Sequence, residues 1–231
     1  MNFRFLILTF LTCFVIHSQQ MENANGIEVI LQNCYEGGKM DETKRDFNSY
    51  MGVYEKIKYS TTNFDVIKYD QDSLIQPVFL IKGLKSNESF STNGKWINRK
   101  MYPGESIRFS LPNDDGKNDE GVHTIYVKGK IIETENNEFP YFDSIKDCEL
   151  RVASKDKNES LVKMDISAFP SGGFEGGIYL YWIGDLNGDG QLDILMGTSK
   201  HYAGIGLSLF LSNLSIEKLF EEHKVGNCST S

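Results

Sequence analysis

Short apolar runs of roughly four to eight residues recur along the chain, separated by polar stretches rich in Asn, Asp, Ser and Gly, the signature of strands joined by turns. The first is Ile27-Glu28-Val29-Ile30-Leu31, where alternation places Ile27, Val29 and Leu31 on one face. Phe64–Tyr69 and Pro77–Ile81 follow as strands across a polar turn at Asp70–Ser73, and Ser106–Leu111 is launched by the turn Tyr102-Pro103-Gly104-Glu105. Val122–Val127 and Lys130–Ile132 read as a strand pair, and Ser144–Ala153 with Ser160–Ile166 as a hairpin. Between Asp41 and Ser60 two periods compete: Phe47, Tyr50, Met51, Tyr54 and Ile57 lie at helical spacing, yet Val53–Tyr59 alternates and Gly52 opposes a helix. The reading is a short helix or turn over Asp41–Ser49, then strand from Val53. Ser86–Lys95 reads as a polar loop. At the end, Ser215–Lys224 has a Ser cap and Ile216, Leu219 and Phe220 on one face, which predicts a short C-terminal helix closed by Gly226. The expected fold is mainly β, with sandwich-like or meandering antiparallel sheets.

The first residues do not belong to that fold. Met1-Asn2-Phe3-Arg4, the apolar run Phe5–Ile16 and the small residue Ser18 have the three regions of a secretory signal, so residues 1–18 are assigned to a leader and 19–231 to one β-rich domain, with 112–121 as the place for any subdivision. Cys13 lacks the upstream small residue of a lipoprotein site. The run is also shorter than the roughly twenty apolar residues of a membrane span. The expected location is therefore extracytoplasmic, secreted or periplasmic.

Charge and cysteine content narrow the partners. Beyond residue 18 there are 23 basic and 32 acidic residues, a formal charge of −9, and no basic cluster, which argues against nucleic acid and anionic membranes. With 15 Phe, 11 Tyr and 2 Trp the chain has ample core material. Cys34, Cys148 and Cys228 make an odd set in an oxidising compartment. One disulfide and one leftover thiol follow, and spacing does not choose among the pairings.

One stretch carries chemistry. In Asp185-x-Asn187-x-Asp189-Gly190-x-Leu192-Asp193 side-chain oxygens recur at every second residue before a glycine bend, and hard oxygen donors in a tight loop suit calcium. Asp185, Asn187, Asp189 and Asp193 supply side chains and Gln191 its carbonyl. An EF-hand would need a bidentate Glu at the twelfth position, which is Met196, and helices on both sides. The flanks Ile178–Ile183 and Leu192–Met196 instead read as strands. The segment resembles the FG-GAP, or integrin-type, calcium hairpin, with Leu207-Ser208-Leu209-Phe210-Leu211 in the place of that family's later Leu-Phe/Tyr-Leu strand. The resemblance covers about a seventh of the chain in a single copy, so it implies the metal ligands but no propeller. The stretch from Trp182 to Leu211 is also similar to the C-terminal part of uncharacterised bacterial secreted proteins, which implies no particular activity. The acidic loop Pro112–Gly121 lacks the alternation and the glycine and reads as an ordinary solvated turn.

Enzyme signatures are thin: there is no Gly-x-Ser-x-Gly, no His-Glu-x-x-His and no phosphate-cradling loop. His201-Tyr202, just after the hairpin, is the one pair that fits acid/base or ligand-binding work, against a structural role. Tyr179, Tyr181 and Trp182 read as core, with sugar stacking as the competing reading. Two classes of function are carried forward. One is a binding or structural module whose hairpin calcium locks, with an extracellular or envelope protein or glycan as partner. The other is an extracytoplasmic hydrolase using the ion or nearby carboxylates. A loop that fills its metal with protein oxygens leaves little open coordination for catalysis, which favours the first.

Overall fold

The computed structural model describes residues 26–31, 46–58, 61–84, 88–111, 122–132, 144–154, 157–167, 176–200, 204–213 and 218–228. They form thirteen strands: β1 (Glu28–Leu31), β2 (Met51–Lys58), β3 (Thr61–Lys68), β4 (Phe79–Lys82), β5 (Phe90–Met101), β6 (Ser106–Ser110), β7 (Val122–Ile132), β8 (Ser144–Ser154), β9 (Lys157–Ser167), β10 (Gly177–Gly184), β11 (Asp193–Ser199), β12 (Ile205–Ser212) and β13 (Phe220–Cys228). Nine make one antiparallel sheet in the order β1-β4-β2-β3-β5-β10-β11-β12-β13. The four strands β6-β7-β8-β9, contiguous in the chain, make a second. The larger sheet is nearly closed, because its edge strands β1 and β13 lie side by side. The mainly β expectation therefore holds.

Period-two alternation sorts side chains between two cores. Val29, Val53, Phe64, Phe79, Leu195, Leu207 and Val225, from strands all round the large sheet, meet in its interior. Their neighbours Met101, Ile178, Leu180, Ile194, Met196 and Phe210 face outward and pack against Ile125, Val127, Leu150 and Val152 of the smaller sheet. One flank of the curved sheet is thus doubled by a second layer, and that flank includes β10, β11 and β12.

Trp182 anchors the interior. A bulge between Leu180 and Trp182 sets both Tyr181 and Trp182 on the inner side, where strict alternation would admit one of them. The indole is fully buried and meets Phe64 edge-on at 4.5 Å between ring centroids and Phe79 at 5.8 Å. Space for it comes from Gly94 on the facing strand: a Cβ there would stand 2.1 Å from the indole ring.

Several sequence expectations give way. Phe90–Lys95, read as loop, is the start of the twelve-residue β5. Its polar residues are compatible with a strand because Thr92 hydrogen bonds to the Asp185 carbonyl and Gly94 lies under the tryptophan. Val122–Ile132 is one strand with a bulge between Lys128 and Lys130, not a pair. Of the expected helix Ser215–Lys224, residues 215–217 lie outside the described residues and Phe220–Lys224 belong to β13: pairing with the whole length of β12 outweighs helical spacing, and Phe220, Val225 and Cys228 are buried. In the ambiguous region a 3-10 turn at Phe47–Ser49, capped by Asp46, precedes β2, while 41–45 lie outside the described residues. No helix among the described residues is long and apolar enough to cross a membrane.

Gly94→Ala should destabilise the fold by about 1–3 kcal/mol, since the new methyl group meets a rigid buried ring. Urea unfolding measures it, and an unchanged midpoint would mean that the interior has slack at Trp182.

Candidate metal centre

The candidate loop joins β10 to β11, and the base of the hairpin is the pair Gly184 and Asp193. Turning the chain within these few residues calls for left-handed backbone at Gly188 and Gly190 (φ 77° and 76°), which explains the glycines at those two places. The other side of the loop is tied to β5: Asp185 N donates to Asn93 O at 3.1 Å, and Thr92 Oγ1 donates to Asp185 O.

Each acidic side chain has a defined task. Asp185 accepts at Oδ1 from the amides of Gly188 (2.7 Å) and Asp189 (3.1 Å) and at Oδ2 from Gly190 (2.9 Å). Asn187 Oδ1 accepts from Asp189 N, and Asp189 Oδ1 from Gln191 N. Asp189 Oδ2 accepts from Asn187 Nδ2 at 3.0 Å and from Ser212 Oγ at 3.2 Å. Asp193 is fully buried. Its Oδ2 accepts from Leu186 N (2.8 Å) and Asn187 N (3.3 Å), and its Oδ1 from Ser212 N (3.0 Å) on β12. Gln191 is exposed at the outer end.

Burial pushes the Asp193 carboxyl up to about 7, with the charges of Asp189 and Asp185 adding to the rise and the amides of Ser212 and Leu186 opposing it. Asp185 is raised as well, first by burial, with the charge of Asp189 adding to the rise. Asp185 and Asp193 thus lie in partly dry surroundings that feel the charge of Asp189, and a positive charge nearby would relieve them.

The donor set fits calcium in chemistry: oxygen throughout, three of the groups anionic. A carboxylate oxygen already accepting an N–H retains lone-pair capacity for a cation. The side chains are nonetheless spread along the loop, and among the described residues no three His, Cys, Asp or Glu are gathered as around a bound metal. As it stands the network satisfies the loop's own amides.

Thr92 and Ser212 are the members that the sequence did not point to. Ser212 lies 19 residues from Asp193, and only the β11–β12 pairing brings them together. His201 and Tyr202 lie outside the described residues. Tyr181 and Trp182 are core, and Tyr179 is half-buried against them: Phe79, Trp96, Tyr181 and Tyr179 stack in series at 5.7, 6.0 and 6.3 Å, so these rings face one another. No family model matches the chain, and neither curated proteins nor solved structures yield a match.

Replacing Asp193 by Ala should cost about 2–5 kcal/mol even in excess chelator, because the amides of Leu186, Asn187 and Ser212 lose their acceptor in a buried place. Denaturant unfolding in chelator checks it, and a loss below about 1 kcal/mol would show that water replaces the carboxylate.

Proposed function

We propose that the protein is an extracytoplasmic calcium-binding β module, with a binding or structural role in which the ion locks the β10–β11 hairpin. The observation that carries this reading is the loop Asp185–Asp193 itself: alternating oxygen donors on a strand–loop–strand hairpin, with one carboxylate fully buried among like charges. Asp185, Asn187, Asp189 and Asp193 would hold the ion through side-chain oxygens and Gln191 through its carbonyl, as the FG-GAP resemblance implies. Calcium bound there supplies charge neutralisation rather than catalysis. Because Asp193 also holds Ser212 of β12, neutralising this cluster would tighten β12 as well as the loop.

The ion should raise the melting temperature. Calcium at a hundred times its dissociation constant adds about 2.7 kcal/mol to folded-state stability, and magnesium less, because its smaller octahedral shell keeps its waters. Asp189→Ala should blunt the calcium response. Melts in calcium, magnesium and chelator test this, and identical curves would leave the loop as a self-satisfied turn.

One disulfide, which would involve Cys228, fits an oxidising compartment, whereas Cys148 is a free thiol buried in the core between the two sheets. Burial raises the Cys148 thiol to about 11, so it is inert at neutral pH. The exported product should have an intact mass corresponding to an N-terminus near Gln19. It should also carry one alkylatable thiol per chain when denatured without reductant and none when native. Three alkylatable thiols, or a retained Cys13, would contradict the assignment.

A further inference from the structure

Three cysteines follow residue 18, and residue order leaves their pairing open. The fold sorts two of them into different places. Cys148 on β8 is fully buried between the two sheets, with Met164 of β9 opposite it, and it is a free thiol. Cys228, the last residue of β13, belongs instead to the interior of the large sheet, together with Val29 and Leu31 of β1. The wall of the large sheet stands between Cys148 and Cys228, so neither reaches the other.

Strand directions fix what Cys228 can reach. Every neighbouring pair in the nine-stranded sheet is antiparallel, so an odd number of strands makes the first and last, β1 and β13, run in the same direction. Gly226 lies against the Val29 carbonyl: a Cβ there would stand 3.0 Å from that oxygen. Two residues further along both strands bring Cys228 to the level of Leu31, where β1 ends. Cys34 lies outside the described residues, but it follows Leu31 by three positions, and three residues of chain span at most about 10 Å. Neighbouring strands stand about 5 Å apart and the Cα atoms of a disulfide about 4–7 Å, so the tether permits a bond to Cys228. Among the described residues the hydrogen-bonded ladder stops at β1 on one side and at β13 on the other. A covalent link at that seam adds what the ladder does not supply.

We propose that Cys34 and Cys228 form a disulfide that staples β1 to β13 and leaves Cys148 reduced. As the S–S bond forms, the two thiols give up two protons and two electrons to an exchanging disulfide, oxidised glutathione or the disulfide of a thiol oxidoreductase, which leaves as two thiols. The link joins the first described strand to the last, so it restricts the unfolded chain over nearly the whole domain, the case in which a cross-link stabilises most. The proposal rests on the extracytoplasmic reading for the supply of the oxidant, whereas the choice of partners rests on the fold.

Peptide mapping of the exported chain without reductant, with alkylation by N-ethylmaleimide during denaturation and then trypsin cleavage, tests the pairing. The peptide Gln19–Lys39 should be linked to the peptide that begins at Val225, and Asp147–Arg151 should carry one alkyl group. Chain that is reduced, refolded in glutathione redox buffer and mapped in the same way should show the same link. A link that includes Asp147–Arg151, or no link between Gln19–Lys39 and the Val225 peptide in either sample, would overturn the proposal. A link formed in the redox buffer but missing from the exported product would leave the pairing standing and overturn the extracytoplasmic reading instead. Reductant should lower the melting temperature of the wild type by about 5–15 °C. Cys34→Ser and Cys228→Ser should each melt near the reduced wild type in both buffers, while Cys148→Ser should keep the full sensitivity to reductant. Should the variants fail to fold, the map and the wild-type melts decide. Equal melting of oxidised and reduced wild type would show that the seam holds without a staple, and would overturn that role.

Discussion

The buried carboxylate of Asp193 is the constraint on which the hairpin region depends. A single side chain answers three main-chain donors, two from the loop it closes and one from the neighbouring strand. Burying an acid completely is costly unless such donors, a proton or a cation meet it. Here the donors are two amides of the loop and one of β12, so the acid and the β10–β11–β12 arrangement specify one another. The neighbouring carboxylates Asp185 and Asp189 work against Asp193 electrically while bracing the same loop mechanically. That conflict is the physical ground for proposing a divalent cation at this loop.

Packing around Trp182 supplies the rigidity that this arrangement needs. The bulge that turns both Tyr181 and Trp182 inward sits on the strand leading directly into the loop, and the opposing Gly94 belongs to the strand whose Thr92 and Asn93 grip Asp185. Among the described residues the indole N–H has no acceptor. Its cost is set against two edge-on aromatic contacts and a filled interior. Loop position and core packing are therefore one problem, solved by the same two strands.

Much of this could be read from residue order where local rules govern. Alternation placed Ile27, Val29 and Leu31 on the inner face, and apolar runs on both sides of Asp185–Asp193 gave the strand–loop–strand form. It failed where distant partners decide. Ser91-Thr92-Asn93-Gly94 looks like a loop in isolation, because nothing local reveals that an indole 88 residues beyond Gly94 will cover it. Leu219 and Phe220 look helical until β12 offers a full-length partner. The alternating oxygens of the loop were legible as a spacing, whereas the roles of Thr92 and Ser212 arise only from pairing.

The two edges of the nine-stranded sheet have a consequence for the order of assembly. Among the described strands β1 comes first and β13 last, and the curved sheet is completed only when they come side by side. A chain emerging N-terminus first would carry an unfinished interior, with Val29, Phe64 and Phe79 lacking part of their cover, until the nine residues of β13 followed. Contacts so far apart in sequence make closure the slow, late step. The exposed edge of β1 would meanwhile be the place where two immature chains could pair with each other. Early pairing of β13 with β12 and β1 would therefore shield the protein from its own copies.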